Sequence, residues 1–392
     1  MLVIVVLTVM LLGYGVYEFA AHRQRVKQIP IRIHVNGTRG KSSVTRLIAA
    51  GLRAGGIQTF AKVTGTMPRM IDDEGLEIPV IRLHPVNIIE QIKVFRFFAR
   101  RKPEAVVIEC MAVLPEYQWI CEHQFVRSTV GVLTNARPDH VREMGPSLEN
   151  IANSLANTIP AGGITFTSET RPELLDIFRR RAEENGSEFH VVRHNEIGLE
   201  ELRRFNYIEH PANVALALRV CEHLGVERET ALGGMHNSFP DPGALKVYRV
   251  VHESGRRILF LNALAANDPE STLQAWERAW ALYPDTGRTI VLLNTRGDRF
   301  DRSVQLLEMA ALHMHFDLII SMGESTEMLS PHFRRVGIPG HKVHRIGTVT
   351  AEEAWETIWN AVEDEALVFA MGNAGHGGLA VAELFRQRRD TA

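Results

Sequence analysis

The sequence predicts an α/β fold: an N-terminal membrane anchor, a P-loop ATPase domain on a parallel sheet, then a smaller Rossmann-like α/β domain. Three observations carry this. Short β-rich runs alternate with longer helical stretches from residue 30 onward, the pattern of parallel sheets with crossover helices. One of these runs enters a glycine loop that opens a helix. Met1–Tyr17 carries no charged side chain.

Composition narrows the class. Hydrophobic residues at 45% and charged residues at 23% suit a globular chain with a buried core, and exclude a disordered, collagenous or multi-span membrane protein. A formal charge of -2 gives no positive field to recruit nucleic acid. Cys110, Cys121 and Cys221 are too few and too scattered for a disulfide framework or zinc site, and a reducing compartment is expected.

Taken in order, the first element is MLVIVVLTVMLLGYGVY, broken only by Thr8, Gly13 and Gly15. Extended through Phe19-Ala20-Ala21, it reaches the ~17–25 residues a spanning helix needs. No basic n-region precedes it, and Arg23, Arg25 and Lys27 follow. The positive-inside rule puts the N-terminus outside and the rest in the cytoplasm. The alternative is a buried or cleaved segment. Strand candidates are Ile31–Val35, Ala105–Glu109, Thr129–Leu133, Ile164–Phe166 and Phe189–Val192. After Phe239-Pro240-Asp241-Pro242-Gly243 come Ile258–Leu261, Thr289–Leu293, Leu318–Ser321 and Leu367–Met371. The Pro/Gly cluster reads as a hinge or as an ordinary surface loop. The expected division is an anchor over 1–22, an ATP-binding domain over 23–240 and a C-terminal domain over 244–392.

The main chemical signal is Asn36-Gly37-Thr38-Arg39-Gly40-Lys41-Ser42-Ser43 between a β-run and a helix. Gly37 and Gly40 let backbone N–H groups converge on phosphate oxygens, and the helix N-terminus adds its dipole. Lys41 reaches the β- and γ-phosphates, and the Ser42 hydroxyl suits Mg²⁺. A strict Walker A pattern would need glycine at position 35, where Val35 stands. The loop is a shortened G-T-x-G-K-S.

That loop, with the segment Glu109-Cys110-Met111-Ala112-Val113-Leu114-Pro115-Glu116, resembles the Mur ligase superfamily. The nearest resemblance within it is to the ligase subunits of bacterial poly-γ-glutamate synthases. The resemblance implies that Glu109 binds magnesium, as a carboxylate beside ATP would. Thr134-Asn135-Ala136-Arg137-Pro138-Asp139-His140 resembles the family's T-N-x-x-x-D-H segment, whose histidine holds a second metal, which would make His140 a ligand. The carbamylated lysine of many Mur ligases has no counterpart in Asn150–Pro160. Asn213, after His210, resembles the asparagine that reads adenine, although the spacing is one residue short; the alternative is a polar residue near a helix start.

Beyond the hinge, Asn262, Ala265, Asn267 and Asp268 fall in a segment that resembles the family's D-x-Y-A-H-N-P. Arg296, Asp298, Arg299 and Arg302 resemble its G-G-D-R-D loop, so Asp298 is expected at the nucleotide and Arg299 at a phosphoryl group or carboxylate, with solvated loop charges as the alternative. The segment around Gly372 and His376 is weak evidence for any nucleotide site. Arg96, Arg100, Arg101 and Lys102 read as a solvated helix end or a contact to anionic lipid or polymer.

The resemblance implies an ATP-dependent acid–amino acid ligase, with Lys41, Glu109, His140 and Arg299 catalytic. ATP with Mg²⁺, or Mn²⁺ in its place, would be required. Glutamate and growing poly-γ-glutamate would be the substrates, the membrane and small membrane subunits the partners, and oligomeric state is left open. The rivals are a soluble folylpolyglutamate synthase and a membrane-tethered P-loop ATPase that forms no bond.

Overall fold

The computed structural model describes residues 2–64, 68–82, 87–240, 244–251, 255–264, 266, 268–284, 286–375 and 377–389. Of the residues singled out above, Asp241, Pro242 and Gly243 of the break, Ala265, Asn267 and His376 lie outside these. The chain forms two compact units, Met1–Glu201 with Glu209–Pro242, and Leu202–Ile208 with Gly243–Ala392.

The first unit opens on α1 (Leu2–Lys27), one unbroken helix. Its apolar side chains through Tyr17 are exposed, and among the described residues it alone has the length and composition to cross a membrane. From Glu18 on it belongs to the fold. Glu18 pairs with Arg96 at 2.9 Å, buried His22 bonds the Phe125 carbonyl at 2.9 Å, and Val26 enters the core with Ile29, Phe60, Phe95 and Phe98.

An eight-stranded sheet follows, built from β1 (Ile31–Asn36), β2 (Thr59–Val63), β3 (Arg69–Ile71), β4 (Glu77–Pro79), β5 (Ala105–Glu109), β6 (Val130–Leu133), β7 (Ile164–Thr167) and β8 (Glu188–Val191). Their order is β4-β3-β2-β5-β1-β6-β7-β8. The six strands from β2 to β8 in that order are parallel; the β3–β4 edge is antiparallel. The reading of a parallel sheet therefore needs correction at this edge, where two three-residue strands form a hairpin too short to show a period. β2 also went unread, because Lys62 interrupts its apolar run.

Helix α2 (Lys41–Ala54) carries Val44, Leu47, Ile48 and Leu52 into the core. Helix α3 (Glu90–Ala99) precedes β5, and α4 (Pro115–Ile120) runs on into π geometry over Cys121–Val126. All three cysteines are free and buried.

The second unit holds β9 (Lys246–Val251), β10 (Arg257–Asn262), β11 (Arg288–Thr295), β12 (Leu318–Gly323), β13 (Val343–Gly347) and β14 (Glu365–Gly372), in the order β13-β12-β11-β14-β10-β9. Among the described residues of this sheet, β9 alone is a strand antiparallel to its neighbour. Apolar residues of these strands pack with Trp359, Val381 and Phe385 from the flanking helices. The segment Leu202–Ile208 joins this unit through bonds from Ile208 N to Leu245 O and from Val247 N to Asn206 O.

Candidate phosphate and metal site

Parallel strands gather their following loops at one edge, and ligands bind where the strand order reverses. β1 lies between β5 and β6, with Val35 level with Glu109 and Asn36 level with Leu133. The glycine loop, Glu109 and Thr134-Asn135 thus leave three adjacent strand ends.

The loop is held by Thr134 and Asn135. Asn135 Oδ1 accepts from Thr38 Oγ1 at 2.8 Å and from the Arg39 amide at 3.2 Å. Thr134 Oγ1 donates to the Arg39 carbonyl at 2.7 Å. Gly37 has φ 134 and Gly40 φ 85, in the region where side chains are strained. A Cβ on Gly37 would overlap Thr134 Oγ1, and one on Gly40 would stand 2.6 Å from Asn213 Oδ1. Asn213 is buried against the loop and donates to Glu209 at 2.8 Å. His210 caps its helix by accepting from the Ala212 amide.

Lys41 folds back over the loop, its Nζ donating to the Gly37 carbonyl at 2.7 Å and the Thr38 carbonyl at 3.3 Å. Ser42 Oγ stands 3.1 and 3.0 Å from the two oxygens of Glu109, and the Thr64 amide donates to Glu109 at 2.5 Å. Ser43 is the third residue of α2. A buried carboxylate with a hydroxyl at its side supplies hard oxygen donors, the kind Mg²⁺ and Mn²⁺ take. These residues fit a divalent ion shared with phosphate oxygens.

His140 is placed differently. It has φ 46 and an exposed ring 3.9 Å from Asp139 and 4.0 Å from Glu143, with no hydrogen bond or ion pair to Ser42 or Glu109. Asp139 also faces Arg39 at 3.7 Å. Among the described residues no three His, Cys, Asp or Glu side chains gather in a metal-holding cluster.

Two supports escaped the sequence. Lys62, fully buried on β2, bonds Glu90 at 2.9 Å, and Arg82 shares Glu90 at 2.7 Å. Burial pushes the Lys62 ammonium down, while Glu90 and the nearby Glu109 pull it up. Behind Thr134-Asn135, the Glu169 carboxylate accepts from the Ala136 amide at 2.9 Å and from Arg171 at 2.9 and 2.8 Å. Burial opposes its charge, but these bonds bring its pKa down to about 2. The only sequence signal for either was charge inside an apolar run or next to a strand end.

In the second unit, Asp298 and Arg299 lie in the turn Gly297–Arg299 after β11. Asp298 is paired with Arg296 at 2.6 Å, Arg299 is exposed, and the Gly297 amide donates to Glu324 at 2.9 Å. Asn294 ties this edge to the loop after β14, donating to the carbonyls of Asn373 at 2.6 Å and Gly375 at 2.8 Å. Asp268 caps the helix Pro269–Leu282 by accepting from the Ser271 amide.

A phosphate loop on one α/β unit followed by a second α/β unit defines the class. Residues 35–239 match the Mur ligase middle domain. Residues 247–388 match the poly-gamma-glutamate synthase CapB C-terminal domain. The chain is 34% identical over 381 residues to the PGA synthase CapB of Bacillus subtilis (strain 168), covering 96% of this chain and 95% of that protein. It is 38% identical over 358 residues to the capsule biosynthesis protein CapB of Bacillus anthracis, covering 91% and 75%. Among solved structures, E. coli FolC in complex with ADP matches with a TM-score of 0.58 at 18% identity, over 94% of this chain and 92% of that one. A folylpolyglutamate synthase from Thermotoga maritima matches with a TM-score of 0.60 at 14% identity, over 97% and 96%. At these identities the likeness is one of fold. The chain belongs to the Mur ligase family, in its CapB branch.

Proposed function

We propose that this protein is an ATP-dependent ligase that joins glutamate to the end of a growing poly-γ-glutamate chain. The observation that carries the site is the pairing of Ser42 with Glu109 beside the glycine loop; the CapB relatives supply the substrate class.

A carboxylate is a poor electrophile, since its charge repels an amine and oxide leaves badly. The polymer's terminal carboxylate oxygen therefore attacks the γ-phosphorus of ATP, and the bond to the ADP oxygen breaks. The acyl phosphate so formed is attacked at carbon by the amine of glutamate. The C–N bond forms, the nitrogen loses a proton and phosphate leaves. Phosphoryl transfer of this kind is catalysed by positioning and electrostatics.

The amides of Gly37 and Gly40 are assigned to the phosphates, Thr38 and Arg39, whose amides bond Asn135, shape the loop around the nucleotide, and Lys41 turns from its loop carbonyls to the phosphate oxygens. Ser42 and Glu109 are assigned to Mg²⁺, with Mn²⁺ able to replace it, and Ser43 to the phosphates. A bound divalent ion offsets charge on the phosphate oxygens. His140 is assigned to a second ion, Asn213 to adenine, Asp298 to the nucleotide and Arg299 to the phosphoryl group or a substrate carboxylate.

The charge-free run Met1–Tyr17, at the lower limit of the ~17–25 residues that span a bilayer, is assigned to the membrane as a single N-out span, with both units in the cytoplasm where ATP is available. A single span exports no polymer, so membrane subunits are expected beside it, and a homo-oligomer fits the same scheme. Incubating the membrane-bound protein with ATP, Mg²⁺ and each common amino acid tests the reading: ADP release should depend on glutamate and be matched by amide formation.

A further inference from the structure

A cleft runs beside α2 in the first unit, between that helix, the β3–β4 hairpin and the helix Arg228–His236. Its volume is about 310 Å³, near the small end of ligand pockets. Arg46 and Arg53 of α2 line it, facing Asp73, Glu74, Glu77 and Phe239.

The Arg46 side chain is 3% exposed. Its Nη1 bonds the Glu77 carboxylate and lies 3.5 Å from the Phe239 carbonyl. Its Nε and Nη2 have no hydrogen-bond partner among the described residues. Those two nitrogens form the side-on edge of the guanidinium, whose parallel N–H groups match the two oxygens of a carboxylate. Elsewhere in this chain that edge is filled. Arg82 turns it to Glu90 at 2.7 and 3.1 Å. Arg171 turns it to Glu169 at 2.9 and 2.8 Å, and Arg296 to Asp298 at 2.6 Å for both bonds. In Arg46 the same edge is buried and empty, so it bears the cost of leaving water without the bonds that offset it. Glu77 accounts for Nη1 alone.

The surroundings select the ligand. Glu77 also faces Arg69 at 3.7 Å, and Asp73 accepts from Gln58 at 2.7 Å. With Asp73, Glu74 and Glu77 all lining the cleft, a phosphate dianion meets strong repulsion. A carboxylate brings a single charge and fits the fork. The place of Arg46 on α2 narrows the choice further. It follows Ser42 by four residues, on the same face of the helix and about 5–6 Å away between Cβ atoms. A glutamyl unit carries two carboxylates one side chain apart. With one of them at the phosphate end near Ser42, the other extends along α2 toward Arg46.

We propose that this cleft binds the spare carboxylate of a glutamyl unit in the side-on fork of Arg46. The inference rests on the ligase reading above and names the residue that recognises its substrate. The unit belongs to the acceptor end of the polymer or to the incoming glutamate, and the chemistry at the fork is the same for both. The fork is covered while the cleft is empty, so entry needs a side-chain movement in the wall, of the kind common on binding.

The test uses the full-length protein in membranes and follows ADP release with ATP, Mg²⁺, tri-γ-glutamate as acceptor and glutamate. Arg46→Lys keeps the charge and loses the fork. It should raise the KM for tri-γ-glutamate or for glutamate by about 10-fold or more, and leave the KM for ATP at the parent value. A rise for the oligomer identifies the polymer end as the occupant, and a rise for glutamate identifies the incoming unit. Parent values of both in a folded variant overturn the proposal. So does a rise confined to ATP, which would give the fork to phosphate.

A second variant leaves Arg46 in place. Phe239 is 64% exposed, and Phe239→Cys puts a reactive thiol on the cleft, while the three native cysteines are buried. Tri-γ-glutamate or glutamate should slow its modification by a thiol reagent several-fold, and inorganic phosphate at the same concentration should not. Equal protection by phosphate, or none by either glutamyl ligand, overturns the proposal. If the parent protein shows no glutamate-dependent ADP release, the ligase reading itself fails. If the parent shows it while both variants give the negative results, the cleft alone fails.

Discussion

Ser42 Oγ meets both carboxylate oxygens of Glu109, at 3.1 and 3.0 Å, across 67 residues of sequence. Glu109 ends β5 and Ser42 stands in the first turn of α2, which the glycine loop joins to the neighbouring strand β1, so the parallel pairing of β1 with β5 makes the contact. Glu109→Gln keeps the shape and a hydrogen-bond acceptor but removes the charge a divalent ion needs. It should cut ATP turnover by about 100-fold or more, on the scale of losing one transition-state electrostatic group, and raise the Mg²⁺ concentration for half-maximal rate. Steady-state rates over a Mg²⁺ titration check this.

Lys41→Ala should reduce ATP turnover by about 100-fold or more while the unfolding midpoint stays close to the parent's. Its present partners are loop carbonyls that water can satisfy. Near-normal turnover in a folded variant would remove the phosphate-loop assignment.

Gly40→Ala puts a methyl group against Asn213 at a φ of 85. Strain of this kind costs about 1–3 kcal/mol. We expect a lower melting temperature and weaker nucleotide binding by calorimetry, with Asn213→Ala relieving part of the strain.

The glycine loop was legible because everything it needs is contiguous: a strand, two glycines, a lysine and a helix start. Glu109 and Asn213 were legible only through resemblance, since strand order brings Glu109 to the loop and the packing of the helix Pro211–His223 brings Asn213. Lys62 was invisible, because a lysine within an apolar run reads as a strand break and its partner Glu90 lies on another element. The same residue hid β2, and β3 and β4 are too short to show alternation. The reach of α1 past the apolar run was also unread: nothing in His22 or Val26 announces that Phe95 and Phe125 will pack on them.

Glu169 holds its proton only near pH 2 in the folded protein, against an ordinary value of 4.5. A depressed carboxylate pKa contributes stability that is present above pH 4.5 and lost as pH falls toward 2. Glu169→Gln should be less stable at neutral pH and show a flatter loss of stability over that acid window, read by denaturant unfolding at each pH.

Removing residues 2–17 should leave a folded first unit, since those side chains are exposed. Removing residues 2–26 should lower its melting temperature. Val26 burial is worth about 1.5–3 kcal/mol, and the His22 bond to Phe125 adds about 1 kcal/mol. Thermal unfolding of the two truncations separates the span from the part of α1 that belongs to the fold.

The most direct measurement follows labelled glutamate and ATP together in membranes containing the protein. The account predicts one ADP and one phosphate released for each glutamate joined by an amide bond, with release dependent on glutamate and lost in Lys41→Ala. ATP hydrolysis that proceeds at the same rate without glutamate, and yields no amide, would contradict it.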